Sequence, residues 1–296
     1  MKSKEELKTG AIYQVHLSVF LFGFAGLFGK WIDLSPVTIV WGRVLFASLA
    51  FGIWYLVKKE NPFRIPFKSY LYYLPLGALL AFHWWSFFAA VQMSTVTIGL
   101  ISYSSFPVFT ALLEPLIFKK PWKYMWFILA LLSSFGMYLV LPEWNWESKY
   151  TQGAFWGVMS GLSFSFITLI NRYLLLNKTQ NKENSSLELT FFQDLFAMIC
   201  LLPLLFFFPE EISIETCYQL LLLGLVFTAL AHLLFINGLK KIEARTASLI
   251  SNMEPVWGIF FAVLLLEEAI NLQILLGACL ILLSAVLAGG LSKKQA

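Results

Sequence analysis

The sequence predicts an all-α integral membrane protein of ten transmembrane helices, arranged as two inverted five-helix repeats. Three observations predict it. Ten apolar stretches of about twenty residues each are long enough to cross a bilayer as helices. Lys and Arg fall almost entirely in alternate gaps between those stretches. Short matches recur along the chain at an offset close to half its length. Composition agrees: 59% of the 296 residues are apolar, only 13% are charged, and the mean hydropathy is +0.74. Such a chain is nearly all membrane span and has no room for a soluble catalytic domain. Its net charge of +4 is dispersed over loops, which excludes a nucleic-acid surface.

The stretches run roughly over residues 11–30, 36–57, 69–91, 94–118, 122–141, 151–173, 188–208, 215–238, 244–266 and 271–291. One set of alternate gaps holds every Lys and Arg except Lys30, Lys149 and Arg43. Cytoplasmic loops carry the Lys/Arg excess, so both termini are expected in the cytoplasm of a multi-pass, inner-membrane protein. Miscounting the stretches would scramble this alternation, so the charges test the hydropathy independently. Trp31, Tyr70, Tyr72, Tyr73, Trp122, Tyr124, Trp126, Trp144, Trp146 and Tyr150 crowd the span ends, where amphipathic rings sit at headgroup level. Glu143, Glu147, Glu210, Glu211, Glu215, Glu267 and Glu268 fall in the outer gaps. The start of the chain lacks the pattern of a removed signal peptide. Cys200, Cys217 and Cys279 are odd in number, and Cys200 and Cys279 lie well inside spans, which argues against a disulfide framework. Two glycosylation-like triplets, at Asn177 and Asn184, are expected on the cytoplasmic side, where they stay bare. Lys293 and Lys294 read as basic residues following the last span.

The internal repeat sets the domain boundaries at 1–146 and 147–296. His83 is matched by His232, and Leu100-Ile101-Ser102 by Leu249-Ile250-Ser251, both 149 residues on. Pro107-Val108 recurs as Pro255-Val256, and Leu45-Phe46-Ala47 as Leu195-Phe196-Ala197, within one residue of that offset. Each half holds five spans. An odd number inverts the second half in the membrane, the plan of secondary transporters, whose substrate site sits near the midplane between the halves.

With Arg43 in the second span, Pro-Val in the fourth and ninth, Leu265-Leu266-Glu267 ending the ninth, and Gly277-Ala278 in the tenth, the chain resembles the drug/metabolite transporter superfamily. Its ten-span EamA-like members are the nearest likeness, and the resemblance covers nearly the whole chain. His83-Trp84-Trp85-Ser86-Phe87-Phe88 with Leu113-Glu114-Pro115 looks like one subset of that family. Lys119-Lys120 stand where many relatives end the fourth span with an acid. The resemblance implies an inner-membrane carrier of small organic metabolites, often an exporter.

Ionisable groups at membrane depth usually face a cavity or a partner. Glu254, beside Pro255 and Asn252, and Asp194 are the candidates for proton coupling, because a buried carboxyl that gains a proton on one side and releases it on the other is the minimum part required. A permanently paired, structural carboxyl is the alternative for Glu254, and a loop-Lys partner for Asp194. Arg43 either binds a substrate carboxylate through its two-pronged guanidinium or locks a helix pair or snorkels. Glu114, one turn from Lys119-Lys120, reads as an ion pair. His83 and His232 sit mid-span on corresponding helices and either line the cavity or hydrogen-bond between helices. Pro107 and Pro255 break helix hydrogen bonding, and freed carbonyls persist only in protein or a wet cavity. The polar groups flanking them, Ser102, Tyr103, Ser104, Ser105, Ser251, Asn252 and Glu254, point to the binding site. Trp84, within the aromatic run of the third span, is a candidate to stack on a substrate ring. Gly153, Gly157 and Gly161 at four-residue spacing mark a close helix approach, with Gly23, Gly26 and Gly29 a weaker case.

The expected function is a secondary active transporter, an exporter of amino acids or similar amphipathic metabolites. Nothing resembles a nucleotide-binding loop, so a gradient is expected to drive it. A phosphorylated substrate would need more intramembrane cations than Arg43. The alternatives are an intramembrane enzyme built on His83 and His232, and a non-transporting membrane scaffold. No cofactor and no metal is expected, since two His without a nearby ligand make a poor metal site. The expected partners are a small-molecule substrate, the lipid bilayer and protons, with a homodimer left open.

Overall fold

The computed structural model describes residues 4–119, 124–176, 185–207, 209–242, 247, 250–251 and 253–293. Asn252, Leu249, residues 177–184 of the polar connection from Asn177 to Glu188, with the first triplet and Asn184 of the second, Lys120, Trp122 and Lys294 lie outside these residues. The described residues form helices and no strands: α1 Lys4–Ala25, α2 Phe28–Trp31, α3 Pro36–Val57, α4 Phe67–Met93, α5 Val96–Tyr103, α6 Phe106–Phe118, α7 Met125–Val140, α8 Lys149–Leu176, α9 Ser185–Leu201, α10 Ile214–Gly224, α11 Ala231–Leu239, α12 Met253–Leu266 and α13 Leu272–Lys293. Seven helical segments are long and apolar enough to cross a membrane, and three shorter apolar ones, Phe127–Val140, Met253–Leu266 and Leu272–Ser284, overlap the fifth, ninth and tenth stretches expected from sequence.

Two segments are interrupted, each by a local cause. The stretch Val96–Phe118 divides at Ser104–Ser105 into α5 and α6. Pro107, in the first turn of α6, offers no N–H to the carbonyl of Tyr103 four residues back, so one helical hydrogen bond is missing at this joint. The two serine hydroxyls turn back onto the end of α5, Ser104 Oγ donating to Leu100 O at 2.7 Å and Ser105 Oγ to Ser102 O at 2.8 Å. The stretch Ile214–Leu239 widens into a π-helical turn at Leu225–Leu230, where Thr228 Oγ1 donates to Leu223 O at 2.8 Å. Such turns are frequent at functional sites.

Glycines let the helices meet backbone to backbone. A Cβ on Gly157 would lie 2.6 Å from Ser102 Cβ, and one on Gly161 2.7 Å from Tyr103 O, so the glycine face of α8 presses on the break after α5. Gly23 of α1 and Gly258 of α12 meet in the same way, bringing α1 against the carbonyl of Glu254. Gly136 and Gly277 join α7 to α13.

Polar side chains close one end of the bundle, and they come from distant sequence. Glu210 caps α3, accepting from Ser35 N at 2.6 Å, Ser35 Oγ at 2.8 Å and Thr38 Oγ1. Glu267 adopts a left-handed turn (φ 54°) and brings Glu268 onto the start of α5, where it accepts from Val96 N at 2.7 Å and Thr97 N at 3.0 Å. Carboxylates suit helix N-termini, where unpaired N–H groups and the helix dipole favour negative charge. Lys30 Nζ donates to Ser94 O at 2.9 Å at this same end. These acids read from sequence merely as outer-gap residues; in the fold they tie residues after 200 to helices before 104.

Gly161→Ala is expected to cost about 1–3 kcal/mol through overpacking against a backbone carbonyl. Gly52→Ala, where an added Cβ meets nothing within 4 Å, is expected to raise stability by about 0.5–1 kcal/mol. Melting of the two purified variants in the same detergent checks the opposite signs.

Candidate functional site

A cavity lies where α1, α3, α4, α5, α8, α11 and α12 converge. Its walls are Phe22, Ala25, Arg43, Leu80, His83, Trp84, Phe87, Tyr103, Phe164, His232 and Glu254, and its volume is about 30 Å³. That is room for roughly one or two waters.

Arg43 is 2% exposed and does not snorkel. Its Nε donates to Thr228 Oγ1 at 2.8 Å and its Nη2 to Phe227 O at 3.2 Å. The π-helical turn supplies both acceptors. Gly224 lets α10 close on α3 here, since a Cβ would lie 2.8 Å from Arg43 O. The guanidinium carbon stands 4.1 Å from the centroid of the Trp84 ring and 5.5 Å from that of Phe88, in cation–π geometry. Among the described residues no carboxylate stands within ion-pair distance of Arg43, although Asp194 and Glu254 are within electrostatic reach.

Glu254 occupies the first turn of α12, next to Pro255. Its carboxyl shares the cavity wall with Tyr103, and its Oε2 is buried without a partner among the described residues. Tyr103 ends α5, so the Ser104–Ser105 break delivers its ring to the cavity.

The two histidines are held alike by one nitrogen and differently by their partners. His83 Nδ1 lies 3.1 Å from Ser160 O and 2.8 Å from Ser160 Oγ, while Ser160 Oγ donates to His83 O at 3.0 Å. Both contacts fall on Nδ1, and Nε2 takes no part in them. Phe164 stacks on this ring at 5.0 Å. His232 Nδ1 stands 3.2 Å from Asp194 Oδ1, and Trp84 meets its ring edge-on at 5.7 Å. Asp194 is fully buried behind the histidine, and its Oδ2 has no partner among the described residues.

Of the residues expected from sequence to bind substrate, the fold brings Arg43, His83, Trp84, Tyr103 and His232 to one cavity, together with Glu254. Ser104 does not line it, because its hydroxyl is spent on Leu100 O. Ser251 likewise turns to Ala247 O, at 3.0 Å. Asn252 lies outside the described residues. Asp194 touches the cavity only through His232. Pro107 and Pro255 stand in the first turns of α6 and α12, positions that tolerate a missing N–H. Sequence reasoning missed Thr228, Ser160, Phe22 and Phe164. A lone Thr in an apolar stretch signals nothing, and a π-helical turn has no sequence signature. Ser160 stands beside Gly161, and the glycine spacing was the available clue.

Many apolar helices around buried ionisable groups define a multi-pass membrane protein with a polar centre, the architecture of a transporter. The sequence profile of the EamA-like transporter family matches twice, over residues 9–141 and 151–290. The chain belongs to that family, and it is a membrane transporter of the drug/metabolite type. It is similar to the uncharacterised transporter YxxF of Bacillus subtilis, at 24% identity over 84% of this chain and 79% of the relative. An uncharacterised transporter of Archaeoglobus fulgidus is 24% identical over 86% of this chain and 88% of its own. A solved crystal structure superposes with a TM-score of 0.68 at 14% identity, covering 97% of this chain and 98% of that one, and shares the fold.

Thr228→Val keeps the shape but deprives Arg43 Nε of its acceptor. The expected cost is about 1.5–3 kcal/mol, as for hydrogen bonds to charged groups. Melting against wild type in the same detergent measures it.

Proposed function

We propose that the protein is a secondary active exporter of small zwitterionic or amphipathic metabolites of the amino-acid type. In this reading it works by alternating access between two inverted five-helix repeats, residues 1–146 and 147–296, with both termini in the cytoplasm of the inner membrane. The double match of the family profile supports the two-repeat plan, and the alternation of Lys and Arg supports the orientation.

One observation carries the substrate reading. Arg43 from the first half and Glu254 from the second face one small apolar cavity, and neither is in an ion pair among the described residues. A guanidinium with N–H groups to spare suits a carboxylate, bound by two parallel hydrogen bonds. Glu254, with one oxygen free, suits an ammonium. Phe22, Phe87, Phe164 and Trp84 suit the apolar remainder of the solute. The cavity is far below the roughly 300–1,000 Å³ typical of sites for drug-sized ligands. The solute therefore enters only when the halves move apart, and this conformation stands as the contracted state.

The charges also fit a coupling ion. Arg43 balances one of the two buried carboxylates, Asp194 and Glu254; the other requires a proton or a bound cation, since an uncompensated buried charge is costly. A proton and the substrate's ammonium then compete for Glu254, so proton entry drives solute exit. Protons, lipid and the small molecule are the partners of this reading. A homodimer is compatible with it and not required by it.

Flux in sealed vesicles with an imposed pH gradient tests the proposal, with apolar amino acids as probes. Arg43→Lys is expected to weaken binding of the intact amino acid more than tenfold and to leave binding of its decarboxylated amine nearly unchanged. Equal losses for both probes would remove the carboxylate role. Glu254→Gln is expected to keep exchange and to lose proton-driven accumulation. Full pH-driven accumulation in that variant would remove its coupling role.

A further inference from the structure

His83 and His232 occupy matching positions 149 residues apart, and each is anchored at Nδ1. What anchors them differs. A backbone carbonyl and a hydroxyl hold His83, while a carboxylate holds His232. A ring that needs only orientation is served by neutral groups, as His83 is. A carboxylate adds a charge whose benefit is realised only when the ring itself is charged. The Asp194 carboxyl has no exposed surface, one hydrogen bond at 3.2 Å, and a second oxygen with no partner among the described residues. As pure scaffolding this is a poor arrangement, since one partner does not repay the desolvation of a carboxylate.

We propose that Asp194 is a positioning residue that acts on the cavity through His232, fixing the ring with Nδ1–H outward and Nε2 inward and offsetting its imidazolium form, so that the pair is a proton-bearing unit distinct from Glu254. This rests on the transport reading and adds a second proton site to it. The charged and titratable groups facing His232 are Asp194 from α9, Arg43 from α3, His83 from α4, Tyr103 from α5 and Glu254 from α12. Asp194 is the one in hydrogen-bond contact with the ring. Trp84 contacts both groups, its ring close to perpendicular to the imidazole at 5.7 Å between centroids and 4.1 Å from the guanidinium carbon. Binding of a substrate carboxylate at Arg43 therefore changes the field at His232 with no contact between them, and proton uptake there is linked to occupancy of the cavity.

The chain has only three histidines, so imidazole nitrogens are separable by spectroscopy. The full chain carrying ¹⁵N-histidine, reconstituted in phosphatidylcholine–phosphatidylglycerol vesicles, is followed by solid-state NMR from about pH 5 to about pH 8, the range over which an ordinary histidine changes charge. His16→Gln and His83→Asn variants assign the signals. In the wild type His232 is expected as the Nδ1–H tautomer, with Nε2 alone gaining a proton as pH falls. Asp194→Asn is expected to move the neutral-ring proton to Nε2, because the amide donates to Nδ1. In the flux assay the same variant flattens one limb of the pH profile and changes KM by less than about threefold. Asp194→Glu restores the tautomer and the limb. An unchanged ¹⁵N pattern with an unchanged pH profile in Asp194→Asn overturns the proposal, as does a wild-type His232 protonated at Nε2 throughout. If Asp194→Asn does not fold, the wild-type tautomer and Asp194→Glu still decide. If the wild type moves no solute, the transport reading fails, while the spectra still rule on the pair.

Discussion

Arg43 carries a charge it cannot shed, buried among helices where, among the described residues, no carboxylate contacts it. The surrounding architecture answers that constraint. The π-helical turn of residues 225–230 turns a carbonyl and a hydroxyl toward the guanidinium, and Trp84 offers it a ring face. Gly224 permits α10 to come near enough to α3 for those contacts to form. Arg43 also sits in reach of two buried carboxyls whose free oxygens are otherwise unexplained. A cation held by neutral groups can accept an incoming anion without first surrendering an ion pair.

The second consequence concerns backbone. In lipid, helical hydrogen bonding can be given up only where other protein groups or a wet cavity take over. Both interruptions of the long helices lie at the cavity, one presenting Tyr103 and the other receiving Arg43. Around them the helices meet through glycine, at Gly23 against the Glu254 carbonyl and at Gly161 against that of Tyr103. The closest backbone contacts and the polar centre therefore lie together. At one end of the bundle Glu210 and Glu268 cap the starts of α3 and α5.

Much of this was legible in the chain. Hydropathy and the alternation of Lys and Arg outline the apolar helices in order, and the glycines at 153, 157 and 161 announce a close approach that α8 makes. Arg43, His83, His232 and Glu254 stand out because ionisable groups at membrane depth are costly. The serines beside the prolines were a weaker guide. Ser104 and Ser251 share the polarity of their neighbours but bond to their own helices, and which way a hydroxyl turns depends on the carbonyls it finds, not on spacing.

The chain by itself determined that it is a helical membrane protein with a few ionisable groups at depth, because burial in lipid penalises polar residues so heavily that each survivor is conspicuous. Only the tertiary structure decided which of those groups meet. That Arg43 rests on Thr228 and Trp84, that Asp194 stands behind His232, and that Glu254 shares a wall with Tyr103 are contacts between residues up to 185 positions apart. They follow from helix packing at glycine contacts and from a π-helical turn, and local sequence carries no term for either.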